Sequence, residues 1–349
     1  MPIESDIVIN QASFSPDNIP EDTEKVNGFL KGIGTKGPRW YEVGAANYRE
    51  LREQGKTPLP IPVYLPGAKD ETIPSRDQGR EIPIRVYRPD NGKPSKGIFL
   101  HFHGGGFVLS SHKQQDNVLK RYANHCQLTA VSVGYSLAPE NAFPSAFNDT
   151  CDAAEFFVDH AEAKYGAKVL FISGESAGGC LAALAAFHLL RARPSHRLAG
   201  LIFPFGHFDL TLGMPSISSA TYSPIVINLE AMQRFTDAYT PGMSLQERRS
   251  PQLSPLYEKM QELASASPSK TLPPALFLCG TQDALLDDTL LMSVKWMATG
   301  SEAVVKIYPG APHGFTALPG LKAADEAIAL ELQFAEDKLN AYLDAAHST

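Results

Sequence analysis

The run Gly174-Glu175-Ser176-Ala177-Gly178 joins a strand-like stretch, Val169 to Ser173, to a helix-like stretch, Ala177 to Leu190. A serine at such a strand-to-helix turn projects its hydroxyl from the top of a sheet, where it can attack a carbonyl. Glycine-serine combinations are also common in ordinary turns, so the weight of the pattern depends on its company. Acyl transfer by Ser176 needs a base to take its proton, a group that orients the base, and donors aimed at the oxyanion. The chain offers each, in the order serine, acid, histidine.

The donors are expected from His103-Gly104-Gly105-Gly106, which ends the strand-like run Gly97 to Phe102. Three glycines in a row let backbone amides turn inward without obstruction by side chains. The amides of Gly104 and Gly105, with that of Ala177, are the expected oxyanion hole, each donor worth roughly 2.7 to 4 kcal/mol of barrier. A phosphate cradle would require a following Lys-Ser or Lys-Thr, or a G-x-G-x-x-G leading into a helix. Neither pattern is present. The acid is expected at Asp283, which follows the apolar run Ala275 to Cys279 and so lies at the carboxyl edge of a sheet, where open α/β sheets bind ligands. Asp287 and Asp288 are rivals placed one turn into the next helix, where acids favour the amino end. The base is expected at His313, in the loop Pro309-Gly310-Ala311-Pro312-His313-Gly314-Phe315 after the last strand-like run. His101 and His103 alternate on a strand, but no third ligand at diagnostic spacing accompanies them, and a metal site is rejected.

These residues need a sheet to hold them. From about residue 82 strand-like and helix-like runs alternate, which predicts a mostly parallel sheet covered on both faces. The strands are expected at Ile82 to Tyr87, Gly97 to Phe102, Thr129 to Gly134, Val169 to Ser173, Ala199 to Phe203, Ala275 to Cys279 and Ala303 to Tyr308; helices at Ala146 to Glu162, Ala177 to Leu190, Leu285 to Met297 and Ala323 to Leu343. On the last of these Ile328, Leu332, Ala335, Leu339 and Tyr342 form one apolar stripe, predicted to pack on the sheet, with a homodimer contact as the less supported alternative. Two segments break the alternation, residues 1–55 and 205–271, and both are expected to cover the catalytic end of the sheet. The domain reading is therefore an N-terminal cap segment, 1–55, and a catalytic domain, 56–349, interrupted by a cap insertion at 205–271.

At 349 residues the chain is long enough for one large catalytic domain with an added subdomain. Its 43% hydrophobic and 20% charged residues are those of an ordinary folded protein. A formal net charge of −7 and a pI near 5.8 weigh against nucleic-acid binding, which rests on Lys and Arg at phosphates. No stretch approaches eighteen apolar residues and no signal peptide is recognised, so a cytoplasmic enzyme without membrane insertion is expected. The four cysteines, Cys126, Cys151, Cys180 and Cys279, form no C-x-x-C pair and are read as reduced, buried thiols.

His103-Gly104-Gly105-Gly106-Phe107, Gly174-Glu175-Ser176-Ala177-Gly178, Asp283 and His313-Gly314-Phe315 together resemble the hormone-sensitive-lipase-like carboxylesterases. Tyr135-Ser136-Leu137-Ala138-Pro139-Glu140, followed by Phe143-Pro144, is similar to a segment of that family between the glycine loop and the nucleophile. The resemblance implies an α/β-hydrolase fold with a helical cap, a triad of Ser176, Asp283 and His313, and oxyanion amides from Gly104, Gly105 and Ala177. It implies hydrolysis of small to medium carboxylic esters through an acyl-enzyme, with no cofactor. Amide, lactone or carbamate hydrolysis are alternatives, and a small-molecule receptor on an inactive hydrolase fold is a further one. The sequence departs from the family at Glu175, where Asp or Thr is more usual, and at Ala284, where proline is frequent. Phe107, Trp40, Tyr41, Phe205, Phe208 and Tyr222 are the aromatic candidates for lining a substrate pocket.

Overall fold

Alternation along the strand Ile98–Phe102 dictates how the sheet is covered: Ile98, Leu100 and Phe102 enter one apolar cluster and Phe99 the other, all of them fully buried. A strand buried on both sides must lie in the middle of a sheet with helices above and below. The computed structural model describes residues 5, 7–33, 37–59, 61–218 and 225–347. Tyr222 lies outside them. The eight strands are β1 (Ala68–Pro74), β2 (Glu81–Tyr87), β3 (Ile98–Phe102), β4 (Thr129–Val133), β5 (Val169–Gly174), β6 (Gly200–Pro204), β7 (Ala275–Gln282) and β8 (Ala303–Pro312). They form one sheet in the order β1-β2-β4-β3-β5-β6-β7-β8. β1 and β2 run antiparallel to their neighbours, and the strands from β4 to β8 pair in parallel.

The helices Ser145–Tyr165, Ala177–Ala192 and Leu286–Met297 contribute to the cluster on one face; Asp116–Cys126 and Lys322–His347 cover the other. The predicted stripe on the last helix faces the sheet, with Ala335 and Leu339 buried and Leu332 and Tyr342 packed beside them. Trp296 is the largest fully buried side chain; its ring lies about 6 Å from Phe187, Phe203 and Phe277, and its indole N–H donates to the Pro273 carbonyl at 3.0 Å. Trp296→Ala is expected to cost about 3–5 kcal/mol, read as a lowered urea midpoint. Wild-type stability in that variant would show the pocket refills.

Two elements were absent from the sequence expectation. β1 is one: an edge strand whose only buried residue is Ile73. The helix Asp116–Cys126 is the other, with Leu119, Tyr122, Ala123 and Cys126 inward. Two strands also run further than expected, β7 to Gln282 and β8 to Pro312, so each ends one residue before a candidate site residue. The N-terminal segment is tied to the glycine-loop region: Arg49 of the helix Ala45–Glu53 donates to the Val108 carbonyl at 2.7 Å and pairs with Glu140 at 2.6 Å. Asn27 donates to the Gly310 carbonyl at 2.8 Å. Among the described residues, no helix is long and apolar enough to cross a membrane.

Candidate active site

Ser176 sits between β5 and the helix Ala177–Ala192 with φ 56° and ψ −120°, a backbone conformation that side-chain-bearing residues rarely adopt. The turn persists because its surroundings hold it. Ser176 N–H donates to the Pro204 carbonyl at 3.2 Å, and the Ser176 carbonyl accepts from His207 N–H at 3.0 Å and Gly179 N–H at 2.9 Å. The helix also approaches β3 so closely that a Cβ on Gly178 would collide with the Phe102 carbonyl oxygen. Only glycine fits there.

β7 and β8 deliver the other two side chains. The carboxylate of Asp283 accepts from His313 Nδ1–H, with contacts of 2.9 and 3.0 Å, and His313 Nε2 lies 2.9 Å from Ser176 Oγ. An ionised carboxylate only accepts, so Nδ1 carries the proton and Nε2 is free to accept from the serine hydroxyl. Asp283 and His313 are both buried. Phe205 stands edge-on to the imidazole at 5.1 Å, and Leu285 N–H donates to Asp283 at 2.8 Å. The rivals of Asp283 are occupied elsewhere. Asp287 accepts from Ser216 N–H at 2.8 Å, and Asp288 accepts from Phe208 and Asp209 N–H at 2.6 and 2.8 Å. Burial pushes the Asp288 carboxyl well above the usual carboxylate range.

The glycine loop requires a correction. Gly104 N–H, expected to face the oxyanion, donates instead to Glu175 Oε1 at 2.7 Å, so it has no hydrogen left to give. Among the described residues the amides of Gly105, Gly106 and Ala177 have no acceptor. Gly105 has φ 115°, and a Cβ there would strike the Leu109 carbonyl oxygen. The sequence suggested a donor trio starting one residue too early. The missed signal was Glu175, whose second oxygen accepts from His101 Nε2–H at 2.7 Å.

His103 is a brace of its loop: Nδ1–H donates to the Gly104 carbonyl at 2.8 Å, and its ring stacks on Tyr135 at 4.3 Å. Tyr135 O–H donates to the His103 carbonyl at 2.6 Å. Burial lowers the His103 imidazole to about 4, and it lowers His207 likewise to about 4, so both are neutral at ordinary pH.

The aromatic candidates divide. Phe208 is core, packed edge-on to Phe203 and Phe277. Phe107 stacks on Tyr239 at 4.1 Å. Trp40 stacks on Phe235 at 5.1 Å, and the Phe235 ring lies so near Gly106 that a Cβ there would collide with it. Phe235, from the segment after β6, thus packs against the loop that carries the free amides, and Trp40 stacks on Phe235.

This fold and this constellation define a class, the α/β-hydrolases, in which a serine on a strand-to-helix turn works beside a histidine and an acid. The chain belongs to the alpha/beta hydrolase fold family, whose model matches residues 99–317. It is similar to an ethyl acetate hydrolase of Pseudomonas putida, 29% identical over 276 residues that span 77% of this chain and 82% of that protein. A solved hyperthermophilic esterase of the archaeon Pyrobaculum calidifontis is 30% identical, superposes with a TM-score of 0.75, and is covered over 97% by 90% of this chain. A solved esterase of the bacterial hormone-sensitive lipase family shares the fold, with TM-score 0.72 and 23% identity over 92% of this chain and 99% of that one.

Proposed function

We propose that the protein hydrolyses small to medium carboxylic esters with Ser176 as nucleophile, His313 as base and Asp283 as the group that orients the base. The continuous hydrogen-bonded chain from the serine hydroxyl through the imidazole to the carboxylate carries this reading. His313 takes the serine proton as Oγ attacks the carbonyl carbon. The amides of Gly105, Gly106 and Ala177 receive the oxyanion, Gly106 replacing Gly104 in the expected set. His313 then protonates the leaving alcohol, an acyl-serine remains, and a water deprotonated by His313 releases the acid. No cofactor enters these steps.

Residues 1–55 and 205–271 act as the cap over this site in our reading, and the stacked pair Trp40 and Phe235 supports it. A roof this close to the loop favours compact substrates, in keeping with a relative named for ethyl acetate. Four unpaired, buried cysteines favour a reducing, cytoplasmic setting. A panel of nitrophenyl esters of graded acyl length, run beside matching anilides, lactones and carbamates, tests the bond and the size. Fastest turnover on acetyl to hexanoyl esters is expected. Anilide turnover without ester turnover would overturn the assignment.

A further inference from the structure

Glu175 neighbours the nucleophile and takes no part in proton transfer, yet both its oxygens are engaged. Oε1 accepts from Gly104 N–H and Oε2 from His101 Nε2–H, each at 2.7 Å, while His101 Nδ1 lies 3.3 Å from the Ser132 hydroxyl. The Glu175 side chain is one quarter exposed, on a cavity of about 130 Å³ that is also lined by Gln115, Tyr122, Ser173 and Glu331. Burial works against its negative charge, but His101 and the two hydrogen bonds outweigh it and hold the carboxyl below the usual range. Glu331, in the same cavity, goes the other way: burial raises it to about 7, Tyr122 O–H donates to one oxygen, and the other has no partner. Environment therefore separates the two carboxyls, and Glu175 is the more readily ionised of the pair.

An anionic acceptor holds an amide roughly twice as strongly as a neutral one, and the residue it holds is the first glycine of the loop. The rest of that loop is tied by its carbonyls. Those of His103, Gly104, Gly105, Phe107 and Val108 accept from Tyr135, His103, Leu109, Ala138 and Arg49 respectively. Of the three glycine amides only that of Gly104 is clamped among the described residues, and the next two are left open. Donors stabilise a developing charge only if they are already aimed when it forms. Three glycines without side chains cannot aim themselves.

We propose that Glu175, held by His101, is a positioning residue that pins Gly104 and so aims the amides of Gly105 and Gly106 at the reacting carbonyl. Because it adjoins Ser176, one residue sets the distance between the nucleophile and the donor loop. The proposal rests on the ester-hydrolase reading above.

The test compares Glu175→Ala with Glu175→Gln on a nitrophenyl ester, together with labelling of Ser176 by an organophosphonate. Gln keeps an oxygen for Gly104 N–H, and its NH2 group can face His101 once that imidazole shifts its proton to Nδ1 and donates to Ser132. Ala is expected to lower kcat by ~10²-fold, the cost of a misplaced oxyanion donor, with KM within about threefold. Gln is expected to recover kcat to within about tenfold of wild type. Full kcat in Ala, or equal losses in Ala and Gln, would overturn the proposal. If Ala does not fold, Glu175→Met, of similar length without an acceptor, takes its place under the same criteria. A wild type that hydrolyses no ester and resists the phosphonate sinks the hydrolase reading itself; a labelled wild type beside an unimpaired Ala variant sinks only the positioning role.

Discussion

Ser176→Ala lowers kcat on an activated ester by about 10⁶-fold, the scale seen when a serine nucleophile is removed from a working triad. The structure explains why the effect should be chemical and not structural. Its backbone bonds to Pro204, His207 and Gly179 involve no side-chain atom. Alanine bears the same Cβ as serine, so the strain at φ 56° is unchanged. What disappears is the only oxygen within reach of His313 Nε2 among the described residues. Circular dichroism and the urea midpoint should match wild type while ester turnover and phosphonate labelling vanish. Retained turnover would show that another group attacks.

Asp283→Asn comes second, with an expected loss of ~10⁴-fold in kcat. An asparagine offers His313 Nδ1 an NH2 donor as readily as an oxygen, which favours the tautomer with its hydrogen on Nε2. That imidazole cannot accept the serine proton. The buried site sharpens the effect, since no solvent is at hand to orient the ring and the imidazolium formed during attack loses its counter-charge. Asp287→Asn makes the control. Its carboxylate faces Ser216 N–H, away from the imidazole, and a loss under about tenfold is expected. If the two variants swapped magnitudes, the orienting role would belong to Asp287.

The elements that position these groups were legible where burial is two-sided. β5 and β6 are runs in which every residue is buried, and such strands announce themselves as unbroken apolar stretches. β1 did not, because an edge strand with one buried residue out of seven has almost no apolar pattern to read. The helix Asp116–Cys126 did carry a signal, in Leu119, Tyr122, Ala123 and Cys126 at helical spacing. Its polar residues between obscured it. The ends of β7 and β8 were misjudged for a different reason: Gly280, Gly310 and the prolines near them look like loop, yet after a register shift past Gly280 the pairing resumes at Gln282 and Pro312.

At the site, sequence reasoning chose Ser176, Asp283 and His313 by residue type and position along the chain, and the fold brings those three within hydrogen-bond reach. It chose wrongly among the glycines. A glycine's amide looks the same in every sequence, and whether it is free depends on which acceptor the fold brings near. Gly104 met a carboxylate 71 positions away.

The amino-acid sequence alone determined the family, the order of the chemical groups and the side of the sheet on which they gather, because local periodicity and motif spacing are properties of neighbours along the chain. Tertiary structure decided the rest: which of three acids faces the imidazole, which amides stay open, and what grips the loop. Those are matters of hydrogen-bond partnership between distant segments, and a donor or acceptor has no partner until the chain has folded.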